Sequence, residues 1–413
     1  MPSPRVVAPA AVAAAIILFA GLLYGFGYRE QYYALAEAWG ALPFRTPFLD
    51  MHGVTSVVEC HRLGYDVYVQ NPCDVLHRVH SYSPLWLWLA VLPITTAWDN
   101  VLGLGLVVLF LVALTFLPPG RDWRLITLAT VSSTTMFAIE RANVDLLIFV
   151  MAMLTVRLRF AGYAVALLAG MLKFYPIVLL VVAVRERIVV CLAVWAVAFS
   201  VVALWFAIGA TDILRAIANI DSNPPFDDNL FGAHNLPFGI AAMVGLPQAG
   251  ALLEALLLVI MVGVAIALAR RVRIHELTEA EAVHLLIGSA LLVSCFVLVQ
   301  NDAYRAIYFL FVLPALSRTW RGAAWLVVLL MWNSGLLGAI NGVAQRLGAS
   351  TAPDGLLHSG IWLFREVAWW AVITLLASLL LRLVWESRAA QDLVRSITYR
   401  YAPRDEGTGG QHG

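Results

Sequence analysis

The sequence predicts an all-α integral membrane protein with about twelve transmembrane helices and a large first outer loop. Two observations on composition predict the class. The 413-residue chain is 61% hydrophobic and only 13% charged, whereas a soluble domain carries roughly 25% charged residues. Its mean hydropathy is +0.82. A third observation predicts the helices: apolar runs of spanning or near-spanning length recur throughout the chain.

The apolar runs define the predicted spans. In chain order they lie near residues 9–27, 84–98, 100–118, 125–140, 143–158, 162–184, 188–208, 249–269, 282–299, 304–317, 322–341 and 359–384. The first run is long enough to cross a bilayer and is not followed by a small-residue cleavage site. We therefore interpret it as a retained helix and not as a cleaved signal.

Arginine sets the predicted orientation, because cytoplasmic loops carry an excess of Lys and Arg. The clusters assigned to the cytoplasm, together with the tail, are Arg185/Arg187, Arg270/Arg271/Arg273 and Arg318/Arg321. With twelve crossings, both termini are then cytoplasmic and the first loop, 28–83, is external. Under this parity, the arginines that fall outside against the rule are Arg121, Arg124, Arg157 and Arg159. The topology of the hairpin 121–160 therefore stays open.

The first outer loop, residues 28–83, is far longer than an ordinary connection, and long ordered loops tend to carry function. It contains Asp50, Asp66 and Asp74, which are candidates for acid–base chemistry, along with four histidines. Its aromatic residues include Tyr82, and such side chains suit stacking against a sugar or a position at the headgroup level. The alternative is a solvated loop whose polar residues only hold its own turns.

The same loop holds two of the four cysteines. Cys60 and Cys73 lie 13 positions apart, and a disulfide between them is expected if the loop faces an oxidising compartment. No CxxC or HExxH spacing occurs in the chain, so no metal site is expected.

Ionisable residues also interrupt the apolar runs, where they are costly and are usually functional or mutually paired. Lys173, the only lysine, lies in GMLKFYP (170–176). It either binds an anion, reaches the interface or pairs with a carboxylate. The segment AIERANVDLLIF (138–149) contains charges that could pair locally, as Glu140–Arg141 or Arg141–Asp145. Arg305, in NDAYR, could extend to the interface.

The order of these motifs resembles the polyprenyl-phosphate-dependent glycosyltransferases of the GT-C superfamily, and most of all glycosyltransferase family 87. An N-terminal helix precedes a large outer loop with an early aspartate, and GYDVY, YSPLWL, ERANVD, KFYP and NDAYR follow in turn. The resemblance covers residues 1 to about 190 and, more weakly, the NDAYR segment. The sequence departs from the family pattern at Ala142, where a glycine is usual, and after Asp50, which Met-His follows.

The resemblance implies a role for each matching residue. Asp50 is the expected catalytic base, with Asp66 in reserve. Lys173, Arg141 and Arg305 are expected to bind the donor phosphate, since a departing phosphate needs fixed positive charge. The remaining residues expected to contact substrate are Asn143, Tyr175, Asp66, Tyr82 and His80. The implied reaction transfers a sugar from a polyprenyl phosphate to an acceptor hydroxyl and inverts the configuration at the anomeric carbon. A metal-binding Asp-x-Asp is absent, and neither a metal nor a cofactor is expected.

The predicted organisation is one polytopic domain, 1–413. It comprises a catalytic module over 1–208, further helices over 209–384 and a cytoplasmic tail over 385–413. The expected location is a plasma membrane of the bacterial inner-membrane type, with the site on the outer, periplasmic face. Expected partners are the lipid-linked sugar donor, a lipid or glycan acceptor and membrane lipids. A net charge of +1 argues against nucleic acid. The alternatives are a secondary transporter and a non-catalytic scaffold or flippase for lipid-linked glycan.

Overall fold

A computed structural model describes the protein over residues 4–41, 43–220, 224–227, 229–298, 301–346 and 356–401. Within these ranges the regular secondary structure is helical apart from one antiparallel pair of two-residue strands, β1 (Leu230–Phe231) and β2 (Asn301–Asp302). The predicted all-α class is confirmed. The last part of the predicted tail, 402–413, lies outside the described residues.

The α-helices are, in chain order, α1 (Pro4–Gly25), α2 (Arg29–Trp39), α3 (Leu49–Arg62), α4 (Asp99–Leu114), α5 (Trp123–Thr130), α6 (Ser133–Arg141), α7 (Val144–Arg157), α8 (Ala161–Lys173), α9 (Ile188–Ala218), α10 (Asn235–Met243), α11 (Gly250–Ala269), α12 (Glu279–Leu298), α13 (Phe309–Thr319), α14 (Arg321–Met331), α15 (Asn333–Arg346), α16 (Leu356–Trp385) and α17 (Arg388–Tyr401). The 3₁₀ helices are Pro84–Val91, Thr96–Trp98, Tyr175–Arg185, Pro247–Ala249 and Ala303–Tyr308.

Several of these helices have the length and apolar composition of membrane spans. Among the described residues there are 6, and they are Val7–Gly25, Thr96–Leu114, Ile188–Ala218, Pro247–Ala269, Glu279–Leu298 and His358–Trp385. The pair α14 and α15, bent by 65°, brings the number to 7 if it is one broken span. The protein therefore has the helices of a membrane-embedded chain, and the predicted count of about twelve spans is not confirmed.

Several predicted runs, among them 84–98 and 162–184, do not form a single spanning helix, and in 162–184 a proline accounts for the break. The run 84–98 forms only the short 3₁₀ helix Pro84–Val91, with extended backbone after it. The run 162–184 divides into α8 and the 3₁₀ helix Tyr175–Arg185. Pro176 has no N–H to continue the α-helical ladder, and its ring clashes with the preceding turn. Hydropathy detects the apolar run but not the break inside it.

The first outer loop is an ordered lobe. Its main helix, α3, packs against the 3₁₀ helix Pro84–Val91 and against the start of α4. A disulfide joins Cys60 to Cys73 with a Cα–Cα distance of 5.8 Å. His52 ties α3 to α4, because its Nδ1 lies 2.7 Å from Asp99 Oδ2. The loop therefore holds the start of α3 in a defined position.

The arginines of the hairpin 121–160 lie at the same end of the molecule as the predicted cytoplasmic clusters. The backbone N–H of Arg121 donates to Ser317 Oγ at 3.3 Å, and Arg321 pairs with Asp122 at 3.5 Å. Arg159 lines one pocket together with Arg185. These contacts place Arg121 and Arg159 beside members of the predicted cytoplasmic arginine clusters. The run 84–98, which was counted as a crossing, does not form a membrane-length helix.

Candidate functional site

Four segments that are far apart in the sequence meet in one place. They are the start of α3, the junction of α6 and α7, the junction of α8 with the next 3₁₀ helix, and the 3₁₀ helix Ala303–Tyr308. Each contributes a charged residue, and these are Asp50, Arg141 and Asp145, Lys173, and Arg305. The outer loop adds Tyr82, whose ring lies 5.4 Å from Lys173 Nζ. The segments chosen from the sequence thus form a single polar cluster.

Asp50 occupies the first turn of α3, where the helix dipole favours a negative charge. Asn143 Nδ2 donates to its Oδ2 at 2.6 Å. Arg78 lies 3.4 Å and Arg141 3.9 Å from its other carboxylate oxygen. The Asp50 side chain remains 12% exposed. It is therefore held by donors while keeping a path to water, as a general base requires.

Arg78 is a site residue that the sequence did not single out. Its Nη2 donates to the backbone carbonyl of Leu49 at 2.7 Å and to Asp74 at 2.9 Å. Gly53 makes this approach to α3 possible, because an added Cβ would lie 2.9 Å from the guanidinium. The spacing of Asp74 and Arg78 is the only sequence signal that could have indicated it. Arg78 fixes the outer lobe onto the start of α3.

Asn143 connects two parts of the site. Its side-chain oxygen accepts the backbone N–H of Asp145 at 2.8 Å, which caps α7. Its side-chain nitrogen is the group that donates to Asp50. Because one amide serves both, the position of Asp50 is coupled to the first turn of α7. Aspartate could cap the helix but could not supply this donor, because an ionised carboxylate only accepts hydrogen bonds.

The site has two parts, one around Asp50 and one around Asp145. The Asp145 side chain is fully buried, and Lys173 Nζ donates to it at 2.7 Å. The hydroxyls of Tyr175 and Tyr308 donate to the same oxygen at 2.5 and 3.0 Å. Arg305 Nε lies 3.3 Å from the other oxygen. One carboxylate therefore faces two cations, so this part of the site carries a surplus positive charge.

The structure shows which partners the charged residues Arg141, Lys173 and Arg305 have. Arg141 lies 3.4 Å from Glu140, as one local pairing predicted, and it also approaches Asp50; within the described residues no pair forms between Arg141 and Asp145. Lys173 is paired with a carboxylate, and its side chain is buried in the protein. Arg305 stacks over the ring of Tyr175 at 5.1 Å and turns inward. No local pattern in the sequence indicated Asp145 as the partner that Lys173 and Arg305 share.

Tyr82 lies between the two parts of the site. Burial raises the pKa of its hydroxyl, and the negative charges of Asp50 and Asp145 raise it further. The phenol is therefore protonated and can donate a hydrogen bond. Nearby Asp302 was not singled out as a candidate. Burial, followed by the charge of Asp50, raises the pKa of its carboxyl to about 6, against the lowering effect of Arg305.

Backbone conformation marks the same residues. Among the described residues, the non-glycine residues with positive φ are Phe48, His77, Ala142 and Phe174, at 55°, 55°, 43° and 62°. Each lies within two positions of a site residue. Phe174 separates Lys173 from Tyr175, and Ala142 separates Arg141 from Asn143. Such conformations cost on the order of 1 kcal/mol or more and concentrate at functional sites. The left-handed conformation of Ala142 also explains why a glycine would suit this position.

Two predicted residues of the loop do not join the cluster through direct contacts. Asp66 is exposed and pairs with Arg215 at 2.5 Å, which lowers the pKa of its carboxyl. His80 is buried, with its Nε2 3.1 Å from the carbonyl of Ser83. Burial lowers the pKa of His80 to about 4, so it is neutral at physiological pH. Its ring packs at a tilt against the ring of Tyr68, with the centroids 5.3 Å apart, and supports the lobe. In the part of the chain that the structure describes, no group of His, Cys, Asp and Glu is arranged to hold a metal ion.

The chain matches no protein-family model, no curated protein and no solved structure. The resemblance to glycosyltransferase family 87 therefore rests on the order of the motifs.

Proposed function

We propose that this protein is an inverting glycosyltransferase that transfers a monosaccharide, mannose or a similar sugar, from a polyprenyl phosphate to an acceptor hydroxyl. The observation that supports this proposal is the meeting of Asp50 with the ERANVD, KFYP and NDAYR segments in one cluster. A carboxylate with access to water lies beside cations that face an incompletely neutralised partner. This is the pairing of base and phosphate ligands that the reaction needs.

In this proposal, Asp50 accepts the proton of the acceptor hydroxyl as that oxygen attacks the anomeric carbon of the donor sugar. The bond from that carbon to the phosphate oxygen breaks, and the polyprenyl phosphate leaves with an additional negative charge. Lys173 and Arg305 stabilise this charge, because Asp145 neutralises only one of them. Arg141 adds a third cation, and it is held over the ring of Phe44 at 4.1 Å. Tyr82 can donate to the sugar or phosphate.

An apolar groove offers a place for the prenyl chain. It lies between α1, α2 and α6 with a volume of about 140 Å³, and its lining includes Ile16, Leu35 and Trp39. At one end the lining includes Phe48 and Glu140, which flank the Asp50 cluster in the sequence. A lipid lying in this groove would place its phosphate near Arg141. The groove is apolar along most of its lining, which suits a prenyl chain.

The topology that goes with this proposal has the site at the outer face of a bacterial inner membrane and both termini in the cytoplasm. It retains about twelve passages. In this arrangement, α8 and the 3₁₀ helix Tyr175–Arg185 are separate short passages that meet at Lys173, and the run 84–98 is not a passage. Placing the hairpin arginines inside then satisfies the positive-inside rule.

The test is incubation of the purified protein with a panel of polyprenyl-phospho-sugars, with release of polyprenyl phosphate as the readout. Asp50→Asn should lower turnover by about 10²- to 10⁴-fold and leave donor binding unchanged, because it removes a positioned base and keeps the shape. Asp66→Asn serves as the comparison, since Asp66 contacts Arg215 and not the cluster. It should retain most of the turnover.

The outcomes separate the proposal from its rivals. Loss of turnover in Asp66→Asn but not in Asp50→Asn would assign the base to Asp66. Wild-type protein that binds donors but releases no polyprenyl phosphate from any of them would favour a scaffold or flippase. Movement of a donor across a vesicle membrane without hydrolysis or transfer would favour a transporter.

A further inference from the structure

The strongest unassigned feature is a pocket at the end of the molecule opposite the Asp50 cluster. It lies where the 3₁₀ helix Tyr175–Arg185, α12, α16 and α17 meet, and its volume is about 590 Å³. α12 relates the two ends. Ser294 of this helix contacts the carbonyl of Tyr175 in the site, whereas Glu279 pairs with Arg185 at the pocket. Fifteen residues of helix separate them, which is roughly 22 Å at 1.5 Å per residue.

The rim of the pocket is basic. Arg159, Arg185 and Arg388 lie on it, with Glu186 and Glu279 as the acidic members. Both glutamates are engaged by other groups, since Glu279 pairs with Arg185 at 2.5 Å and Glu186 accepts from the hydroxyl of Tyr163 at 3.3 Å. Within the described part of the chain, Arg159 and Arg388 form no ion pair with a carboxylate. The pocket thus presents two guanidinium groups to an incoming anion.

Part of the pocket wall is apolar, because Val184, Val283, Leu286 and Leu383 line it along with the charged residues. α16 ends at Trp385, two residues after Leu383, and this tryptophan is 72% exposed. A soluble anion would use only the arginines. An amphiphile would use the arginines and the wall together.

The helix that follows the pocket has the character of an interfacial helix. α17 begins at Arg388 and buries Ala389, and Asp392 accepts the backbone N–H of Ile188, so one side is held against the start of α9. Leu393 and Ile397 are exposed on the same helix. A helix that leaves apolar residues uncovered directly after a membrane-length helix is expected to lie in the headgroup region.

We propose that this pocket binds the headgroup of an anionic phospholipid of the membrane leaflet at this end. Arg159 and Arg388 bind the phosphate, and the apolar wall receives the first part of an acyl chain. Three arginines against two glutamates leave a single net positive charge on the rim, which matches a headgroup with one negative charge. Basic pockets between membrane helices are known to recognise such headgroups.

The test uses the full-length protein, purified in detergent and stripped of lipid. Native mass spectrometry would follow the binding of phosphatidylglycerol and of phosphatidylcholine with identical acyl chains. Phosphatidylglycerol should bind preferentially at one site and raise the Tm of the protein, because a ligand of the folded state stabilises it. Inorganic phosphate at millimolar concentration should neither raise the Tm nor displace the lipid.

Variants locate the binding to this pocket. Arg159→Gln/Arg388→Gln should weaken phosphatidylglycerol binding by roughly 25-fold, about fivefold for each arginine. The matched control is Arg124→Gln/Arg395→Gln, which removes the same charge from exposed positions outside the pocket lining and should leave the affinity unchanged. Glu186→Gln removes a negative charge from the rim and should strengthen binding without removing an arginine.

Three results would overturn the proposal. Equal binding of the two lipids would remove the anionic preference. Equal weakening by the pocket and control variants would show attraction to the general surface charge. Displacement of the lipid by inorganic phosphate would reassign the pocket to a soluble anion. Should the pocket double variant fail to fold, the proposal is still tested by the comparison of the two lipids on the wild type and by the Glu186→Gln variant.

Discussion

Asp145 receives contacts from four side chains, Lys173, Tyr175, Arg305 and Tyr308, that come from two other segments of the chain. A buried charge without a partner is strongly destabilising, whereas a paired one is close to neutral. The pairing therefore explains how the only lysine is tolerated in an apolar run. It does not by itself distinguish a structural lysine from a phosphate ligand. That distinction needs variants that restore charge balance.

We predict that Lys173→Met lowers the free energy of unfolding by about 3 kcal/mol, because Asp145 then keeps only Arg305 as a counter-charge. The double variant Lys173→Met/Asp145→Asn should recover most of this stability but not donor affinity. Thermal unfolding in detergent and titration with a donor analogue measure the two quantities. Wild-type affinity in the double variant would make the lysine structural and move the phosphate site to Arg141 and Arg305.

Ala142 gives a second prediction at this scale. Its φ of 43° favours glycine, but its buried methyl also contributes packing. For Ala142→Gly these terms oppose each other, and we expect a change in unfolding free energy within about 1 kcal/mol and retained turnover. Ala142→Val should lower both the unfolding free energy and the turnover, since a β-branched residue is an outlier at positive φ. A stable, active valine variant would contradict the strained geometry at this junction.

At the scale of elements, the outer lobe and the broken helices position the site. α3 presents Asp50 in its first turn, and the Cys60–Cys73 bridge joins the end of α3 to the following loop. The break at Phe174 ends α8 directly after Lys173 and begins the next helix at Tyr175. A continuous helix over 162–184 would separate these two side chains differently, and both could not meet Asp145. Helix breaks thus place functional side chains here.

We predict that Cys60→Ser/Cys73→Ser lowers the stability of the outer lobe by about 3 kcal/mol, through the added conformational freedom of the unfolded loop. Limited proteolysis of the loop and thermal unfolding would detect the change. Turnover should fall in parallel, because Arg78 of this lobe contacts Asp50. Cys191→Ser, at a buried free cysteine outside the lobe, is the control. Mass spectrometry that finds both thiols free in the wild type would remove the basis of this prediction.

At the scale of the whole molecule, charge is segregated to two ends. Arg321 and Asp122 pair at one end, as do Arg318 and Glu281. The Asp50 and Asp145 clusters lie at the other. Because positive charge is retained on the cytoplasmic side, this segregation predicts one orientation for the whole chain.

We predict that single cysteines at positions 124 and 276 are labelled from the same side of the membrane, and that one at 66 is labelled from the opposite side. All three positions are exposed and lie outside the membrane-length helices. Impermeant maleimide applied to oriented vesicles measures this. Labelling of position 124 together with position 66 would restore the topology in which the hairpin 121–160 is external.

The sequence by itself determined the all-α membrane class of this protein, the extent of the apolar runs, the presence of a long loop after the first helix and the candidates Asp50, Asn143, Lys173 and Arg305. These follow from composition, local hydropathy and short motifs, which are properties of neighbouring residues. Only the tertiary structure decided which runs break, which charges pair and on which end the hairpin lies. Asp145 meets Lys173 across 28 positions, Arg78 meets Asp50 across another 28, and Arg121 meets Ser317 across 196. Such contacts depend on how whole helices pack, and many arrangements of the same apolar segments satisfy the same local preferences.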